Sequence, residues 1–453
     1  MNSENKQAFI VNFFKKLKSN KSYCILRNYD KLPFENGDDI DMLVDDSSDD
    51  IVDKVILPII MELGWQYHIK FRKEGFTPIL CLYTTSNSVD VLQLDIYTKF
   101  VWRGNRFVDE KSILLSSTMF NDFCVASKGS DAAVTVIKEL IGSESIRKKY
   151  HERLPLYLHE DKEGFYQTLE TIYPKKLIDV IAQDIEDFHF DILKKKAKTI
   201  KKVVKNQNKR TYWNRSFAAF KHRRKDKRFF RGKLIAFVGP DGSGKTTLIN
   251  NESELLERFF PHNVTIFHRR YEIFKELKTG HGFSSMKGEY VSGKSEMTEQ
   301  KSEEKKKKRP LISKLASWFV VLYYTLEYMF GNRKARKLIN NKTLILYDRY
   351  YYDHFVQPTT RDLIYRFRKI LLSLVRKPDL IIHLIASGDV IYKRKQDLDK
   401  EEIDIQNMYM TRILKDCKNV EDVYTDNLDA NQVMAEVFRI IIKKFYGIEF
   451  TIN

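Results

Sequence analysis

The chain reads as two α/β units in series: a small N-terminal unit with a helical extension, and a C-terminal unit built on a parallel sheet. Three observations predict this. The first hundred residues follow a helical N-terminus with β-branched and aromatic runs, among them SYCILRN, DDIDMLV, WQYHIKF, PILCLY and VDVLQLDIY. Residues 131–205 turn helical, with apolar residues at three- and four-residue spacing in DAAVTVIKELI and PKKLIDVIAQDI. From residue 233 onward, short wholly apolar runs (KLIAFVG, VTIFH, TLILYDRY, DLIIHLIA) alternate with helical segments, as in a sheet covered on both faces. The 453 residues suit two to four domains.

The elements divide the chain at 1–115, 116–193, 194–232 and 233–453. Residues 1–20 spell a short amphipathic helix with lysines on its polar side and lack the apolar core of a signal peptide. Residues 194–232 are dense in cations and contain a single acid, Asp226. They read as a solvated linker, or as a basic amphipathic segment resting on an anionic membrane with Phe217, Phe220, Phe229 and Phe230 as anchors. No base-reading module accompanies them, so a specific nucleic-acid partner is not expected. Residues 272–310 are polar, end in EEKKKKRP, and read as a mobile insertion. The apolar stretch 315–330 is too short for a membrane span and is interrupted by Glu327, so it reads as a buried helix.

Composition narrows the function classes. Hydrophobic residues at 43% and aromatics at 13% support packed cores and exclude a disordered chain. A net charge of +18 favours anionic partners: a nucleotide, a phosphorylated sugar, an anionic lipid or a nucleic acid. Four scattered cysteines exclude a disulfide scaffold and a cysteine-built zinc site, and fit a reducing, cytoplasmic setting, with membrane-peripheral association left open through the basic segment.

The sharpest motif is Gly239-Pro240-Asp241-Gly242-Ser243-Gly244-Lys245-Thr246, which matches G-x-x-x-x-G-K-[ST] between an apolar strand and a helix. Glycines let backbone N–H groups close around phosphate oxygens, and the helix N-terminus adds partial positive charge. Lys245 then reaches the β/γ-phosphates of ATP, and Thr246 offers a hydroxyl to Mg²⁺. Asp348 closes a later apolar strand, placed to hold a metal's water shell or to orient an acceptor, and Arg349 beside it suits a clamp on an acceptor phosphate. Arg394 lies in the charge-dense IYKRKQDLDKEE, where a lid cation could neutralise a transferring phosphoryl group, with Lys393 and Lys395 as competitors.

GPDGSGKTT, DRYYYD, KPDLIIHLIASGDVIYKRKQDL and VYTDNLDANQVMAEVFRII, in that order, resemble thymidylate kinase-like P-loop kinases over residues 233–453. The resemblance implies ATP on Gly242, Ser243, Gly244, Lys245, Thr246 and Thr247, an acceptor phosphate at Arg349, a lid arginine near Arg394, and Asp241 facing the acceptor's sugar. Where thymidylate kinases carry an Arg-Glu-Pro-Gly-like acceptor loop, this chain has His268-Arg269-Arg270-Tyr271-Glu272. Asp353 and His354 stand near the positions that read thymine. The pattern is closer to kinase-like proteins of bacterial polysaccharide loci.

In the N-terminal unit, Asp39 and Asp41 are spaced for one face of a strand, and Asp95 ends another. Three converging carboxylates could bind Mg²⁺ for nucleotidyl transfer. The D-x-D with a distant aspartate resembles the nucleotidyltransferase fold, although Arg27-Asn28 stands where that family keeps a small Gly-Ser or Gly-Gly pair. An active transferase, a degenerate recognition domain and plain strand-end acids all remain open at this stage.

The expectation is an ATP- and Mg²⁺-dependent kinase acting on a nucleoside monophosphate or another anionic small acceptor. Its rivals are a nucleotidyltransferase acting through the N-terminal unit in surface-polysaccharide assembly, and an ATP-binding regulatory protein at a membrane. An anionic membrane surface and a second copy of the chain are candidate partners.

Overall fold

A computed structural model describes residues 4–20, 22–34, 39–45, 50–216, 232–259, 262–274, 311–357, 360–361, 365–394, 396 and 399–449. The chain forms two compact units, Met1–Phe229 with Ile448–Asn453, and Phe230–Gly447.

The first unit opens with α1 (Glu4–Asn20), whose Phe9, Ile10, Phe13, Phe14 and Leu17 are buried at helical spacing. Phe9 meets Trp65 at 4.5 Å between ring centroids, and Phe14 stacks on Tyr23 at 5.1 Å. The strands are β1 (Tyr23–Ile25), β2 (Ile40–Val44), β3 (Gln66–Ile69), β4 (Phe76–Thr84), β5 (Val89–Tyr97), a small β6–β7 hairpin (Val101–Trp102, Asn105–Arg106), β8 (Thr118–Phe120) and β9 (Phe123–Val125). A seven-stranded mixed sheet runs β3-β4-β5-β2-β1-β9-β8. β2 and β5 are parallel neighbours, with Asp41 opposite Asp95. Helix α2 (Leu57–Glu62) precedes β3, and α3 (Glu110–Leu115) precedes β8.

The helical extension follows as α4 (Lys128–Gly142), α5 (Arg153–Glu160), α6 (Lys162–Leu169), α7 (Lys175–Glu186) and α8 (Phe190–Gln207). Ser127 caps α4 and Asp161 caps α6, each accepting a first-turn N–H. Their apolar faces share one core with Tyr97, Phe100 and Phe107. The basic stretch from 194 begins inside α8, whose Leu193, Ala197, Ile200 and Val204 are buried in that core. The change in composition at 194 therefore marks the solvent face of a packed helix, not the start of a link. The phenylalanine anchors at 217, 220, 229 and 230 lie outside the described residues.

The second unit is a five-stranded, all-parallel sheet of β10 (Leu234–Val238), β11 (His262–His268), β12 (Thr343–Asp348), β13 (Leu380–Ile385) and β14 (Val420–Tyr424). Its order is β11-β12-β10-β13-β14. The helices are α9 (Lys245–Phe259), α10 (Leu311–Asn340), α11 (Tyr365–Leu374), α12 (Gly388–Arg394), α13 (Lys400–Leu414) and α14 (Ala430–Tyr446). β10 is buried throughout and lies centrally. The chain passes from it to one side of the sheet for β11 and β12, then to the other for β13 and β14. A crevice is expected at the carboxyl end of a strand where the order reverses in this way.

One expectation is corrected here. The helix over 315–330 is not buried all round: Val321, Tyr324 and Tyr328 face the core, whereas Phe319, Leu322, Leu326, Met329 and Phe330 are exposed. One face packs on the sheet side; on the other, Phe330 meets the ring of Phe274 at 5.8 Å and the remaining apolar side chains stay exposed. Glu327, which reads in sequence as an interruption, is fully buried and accepts from Arg270 Nε at 2.9 Å and from the Ile273 amide at 3.1 Å. Among the described residues no helix is long and apolar enough to cross a membrane. The insertion expected at 272–310 lies outside the described residues from 275 on.

Candidate active site

The glycine loop leaves the carboxyl end of β10 and runs straight into α9. Gly239 sits at φ +143°, and a Cβ there would meet the Leu384 carbonyl at 2.4 Å. Gly244 sits at φ +91° over open space, so what it requires is backbone freedom. This bend leads directly into the first turn of α9, where a helix has N–H groups without intrahelical acceptors. Lys245 folds back into the loop, its Nζ donating to the carbonyls of Gly239 (2.8 Å) and Pro240 (2.6 Å) and to Ser243 Oγ (3.3 Å). Thr246 and Thr247 are exposed on the first turn.

Asp348 ends β12, beside β10. Thr246 Oγ1 donates to Asp348 Oδ2 at 2.8 Å, and His268 Nδ1 lies 3.2 Å from the same oxygen. Asp348 Oδ1 is buried and has no hydrogen-bond partner. A hydroxyl beside a buried carboxylate with an unused oxygen is an oxygen-donor set that fits Mg²⁺. His268 carries no predicted role; its signal in sequence is that it ends β11, in register with Asp348.

Arg349 follows at φ +63°, its amide bonded to Phe237 O at 3.0 Å. That left-handed turn sends its guanidinium back over the loop, where it forms an ion pair with Asp241. Burial lowers the Arg349 pKa and Asp353 opposes the shift. Arg269, also left-handed at φ +57°, gives its amide to Asp348 O at 2.7 Å, and its own carbonyl accepts from the Tyr328 hydroxyl. Arg270 is committed to Glu327 and stacks over Tyr324 at 5.1 Å. Arg270 thus pins its loop to α10.

The structure brings Gly239, Asp241, Gly242, Ser243, Gly244, Lys245, Thr246, Asp348 and Arg349 together around one loop. Arg394 is not joined to them. It ends α12, is exposed, and donates to the carbonyl of Thr425 at 3.2 Å.

In the N-terminal unit, one carboxylate oxygen each of Asp39, Asp41 and Asp95 lies within 4.8 Å of the others. Parallel register across β2 and β5 produces this convergence. Burial, followed by the neighbouring Asp41 and Asp39, pushes Asp95 up to about 6 against the pull of its bond from Gln93. The three oxygens fit a divalent cation, and Asp41 Oδ1 has no hydrogen-bond partner. Asp41 Oδ2, however, accepts from Arg27 Nε at 2.6 Å, and Lys138 Nζ lies 4.0 Å from Oδ1. Arg27 also reaches the Tyr150 hydroxyl at 3.1 Å. The residue standing in place of a small turn pair is therefore a cation bonded to the central carboxylate.

No family model matches the chain, and no curated protein matches it. Solved structures similar to about half of it include thymidylate kinases. The enzyme from Candida albicans is 18% identical with a TM-score of 0.32, covering 48% of this chain and 94% of its own. The enzyme from Ehrlichia chaffeensis is 16% identical with a TM-score of 0.30, covering 47% of this chain and 99% of its own. At that level neither likeness assigns an activity.

Proposed function

We propose that the C-terminal unit is an ATP-dependent phosphotransferase of the thymidylate kinase-like class, moving the γ-phosphoryl of ATP to a phosphorylated or otherwise anionic small acceptor. The observation that carries the reading is the Lys245 loop with Thr246 bonded to Asp348 and Arg349 immediately beside them. An acceptor oxygen attacks the γ-phosphorus, the bond to the β–γ bridging oxygen breaks, and ADP leaves with that electron pair. Loop amides and the α9 N-terminus hold the β-phosphate. Lys245 exchanges its carbonyl partners for β- and γ-oxygens, moving an ammonium onto the charge that spreads in transfer. Arg349 exchanges Asp241 for the acceptor's anion. Thr246 and Asp348 would hold Mg²⁺, which would supply charge neutralisation for the phosphate groups. Arg394 is assigned to a closed lid, reached by release from Thr425.

Transfer of label from γ-labelled ATP tests this. Lys245→Ala is expected to lower kcat about 100-fold or more with the fold retained, because it removes one preorganised donor. Arg349→Gln is expected to raise the acceptor KM while leaving ATP affinity near wild type. Unchanged turnover in Lys245→Ala contradicts the assignment.

A second reading belongs to the N-terminal unit, where the 4.8 Å convergence of Asp39, Asp41 and Asp95 favours nucleotidyl transfer with Mg²⁺. There an acceptor oxygen attacks an α-phosphorus and pyrophosphate leaves. Asp41→Asn is expected to abolish pyrophosphate release from nucleoside triphosphates while phosphoryl transfer persists. Absence of pyrophosphate release in the wild type overturns this reading and leaves Arg27 and Lys138 as the built-in counter-ions of a recognition domain.

A further inference from the structure

We propose that Asp353 selects the acceptor: its carboxylate takes a hydrogen bond from a hydroxyl on the carbon skeleton of an acceptor whose anionic group is held by Arg349. The inference rests on the phosphotransfer reading and narrows its acceptor to hydroxylated phosphate esters, such as sugar or polyol phosphates.

The position comes first. Asp353 lies in the short 3-10 turn Tyr351–Phe355, just beyond the left-handed Arg349, and its amide closes on Tyr350 O at 3.1 Å. Lys245 from α9, Arg349 and Asp348 at the end of β12, and Arg269 after β11 are the charged groups whose fields act on it. The turn therefore stands at the carboxyl end of β12, next to the end of β10 from which the phosphate loop leaves.

The second argument is an unmet requirement. Asp353 is half-buried, and its Oδ2 is shielded from water without a hydrogen-bond partner. A buried acceptor oxygen left unpaired is costly. The adjacent guanidinium does not relieve it, because Arg349 is paired with Asp241. Burial pushes the Asp353 carboxyl up to about 7 against the pull of Lys245, Arg349 and Arg269. A donor arriving with the ligand would satisfy this oxygen.

The third argument is what lines the turn. His354 stacks on Tyr324 at 4.9 Å, and burial holds its pKa down to about 4, so it is neutral near pH 7. Tyr351 is tied through its hydroxyl to Thr325. Among these neighbours the fixed chemistry is an aromatic wall and one carboxyl, which accepts through both oxygens once ionised. A hydroxyl donates to that carboxylate without bringing an acceptor beside it, whereas the single N–H donor on a thymine ring edge is flanked by two carbonyl acceptors.

The test uses the full-length protein, Mg-ATP and matched probes: ribose 5-phosphate against 2-deoxyribose 5-phosphate, glycerol 3-phosphate against propanediol phosphate, and dTMP. Initial rates of ADP release and product masses are followed. The wild type is expected to prefer the more hydroxylated member of a pair, a comparison that needs no variant. Asp353→Leu is expected to raise KM for the preferred probe about tenfold or more, to leave KM for its deoxy partner unchanged, and to be partly rescued in Asp353→Asn, which keeps an acceptor oxygen. Preference for dTMP or for the deoxy member, or equal KM shifts for both members, overturns the role of Asp353 while leaving phosphotransfer standing. No ADP from any probe contradicts both.

Discussion

Glu252 lies in α9, on the helix that the phosphate loop launches, and neither of its carboxyl oxygens has a hydrogen-bond partner. It is completely buried, and burial alone raises its pKa well above the ordinary glutamate value. The folded pKa exceeds the unfolded one, so the contribution to stability is complete below the unfolded value and is lost as pH rises toward the folded one. Glu252→Met is therefore expected to stabilise the second unit by about 1–3 kcal/mol at pH 8 and by less at pH 4.5, which thermal melts at the two pH values would measure. An equal shift at both would remove the titration argument. At this scale much of the site was legible. A glycine pattern ending in Lys-Thr has few structural uses, so Gly239, Gly244, Lys245 and Thr246 declare themselves. The bond between Arg27 and Asp41 did not, because it joins the bend after β1 to β2, a pairing no single residue encodes. The isolation of Arg394 was equally hidden, since a cation-rich segment does not say which carbonyl a given arginine will find.

At the scale of elements, apolar runs announced β10, β11, β12 and β13, because strands in a covered sheet have little alternation to confuse with a helix, whereas the edge strand β14 (VEDVY), of which only Val423 is buried, offered no such run. The helix at 311–340 was harder. Its apolar residues occupy both faces, and periodicity could not say which face the sheet would cover. The decisive residue is Glu327, whose bonds to Arg270 and to the Ile273 amide fasten the segment after β11 to α10. That segment also carries Arg269 and His268, so its placement sets the geometry around Asp348. Glu327→Ala removes the carboxylate counter-ion of Arg270 in a largely buried setting and is expected to cost about 3–5 kcal/mol, seen as a lower urea midpoint for the second unit. The pair Arg270→Met with Glu327→Leu is expected to cost less than the single change. A double-variant cost equal to the sum of the singles would mean that the two residues act independently. In the first unit, α8 shows the converse lesson: its lysines dominate the composition, yet Leu193, Ala197, Ile200 and Val204 at helical spacing place it in the core.

For the whole molecule, the sequence specified two α/β units and the order of their parts, and the structure divides the chain into two compact bodies. Each gathers acidic and basic side chains at the ends of parallel neighbouring strands, β2 and β5 in one and β10 and β12 in the other. The excess of 79 basic over 61 acidic residues gives the chain an overall attraction for anions that salt would screen. The central claim is narrower: the bend at 239–244 binds the phosphates of ATP, with Lys245 as its cation. Calorimetric titration of Mg-ATP into the full-length protein tests it most directly. The account predicts saturable one-site binding in the wild type that weakens at least tenfold in Lys245→Ala, while Asp41→Asn leaves that site's affinity unchanged. No binding in the wild type, or equal affinity in wild type and Lys245→Ala, would contradict it.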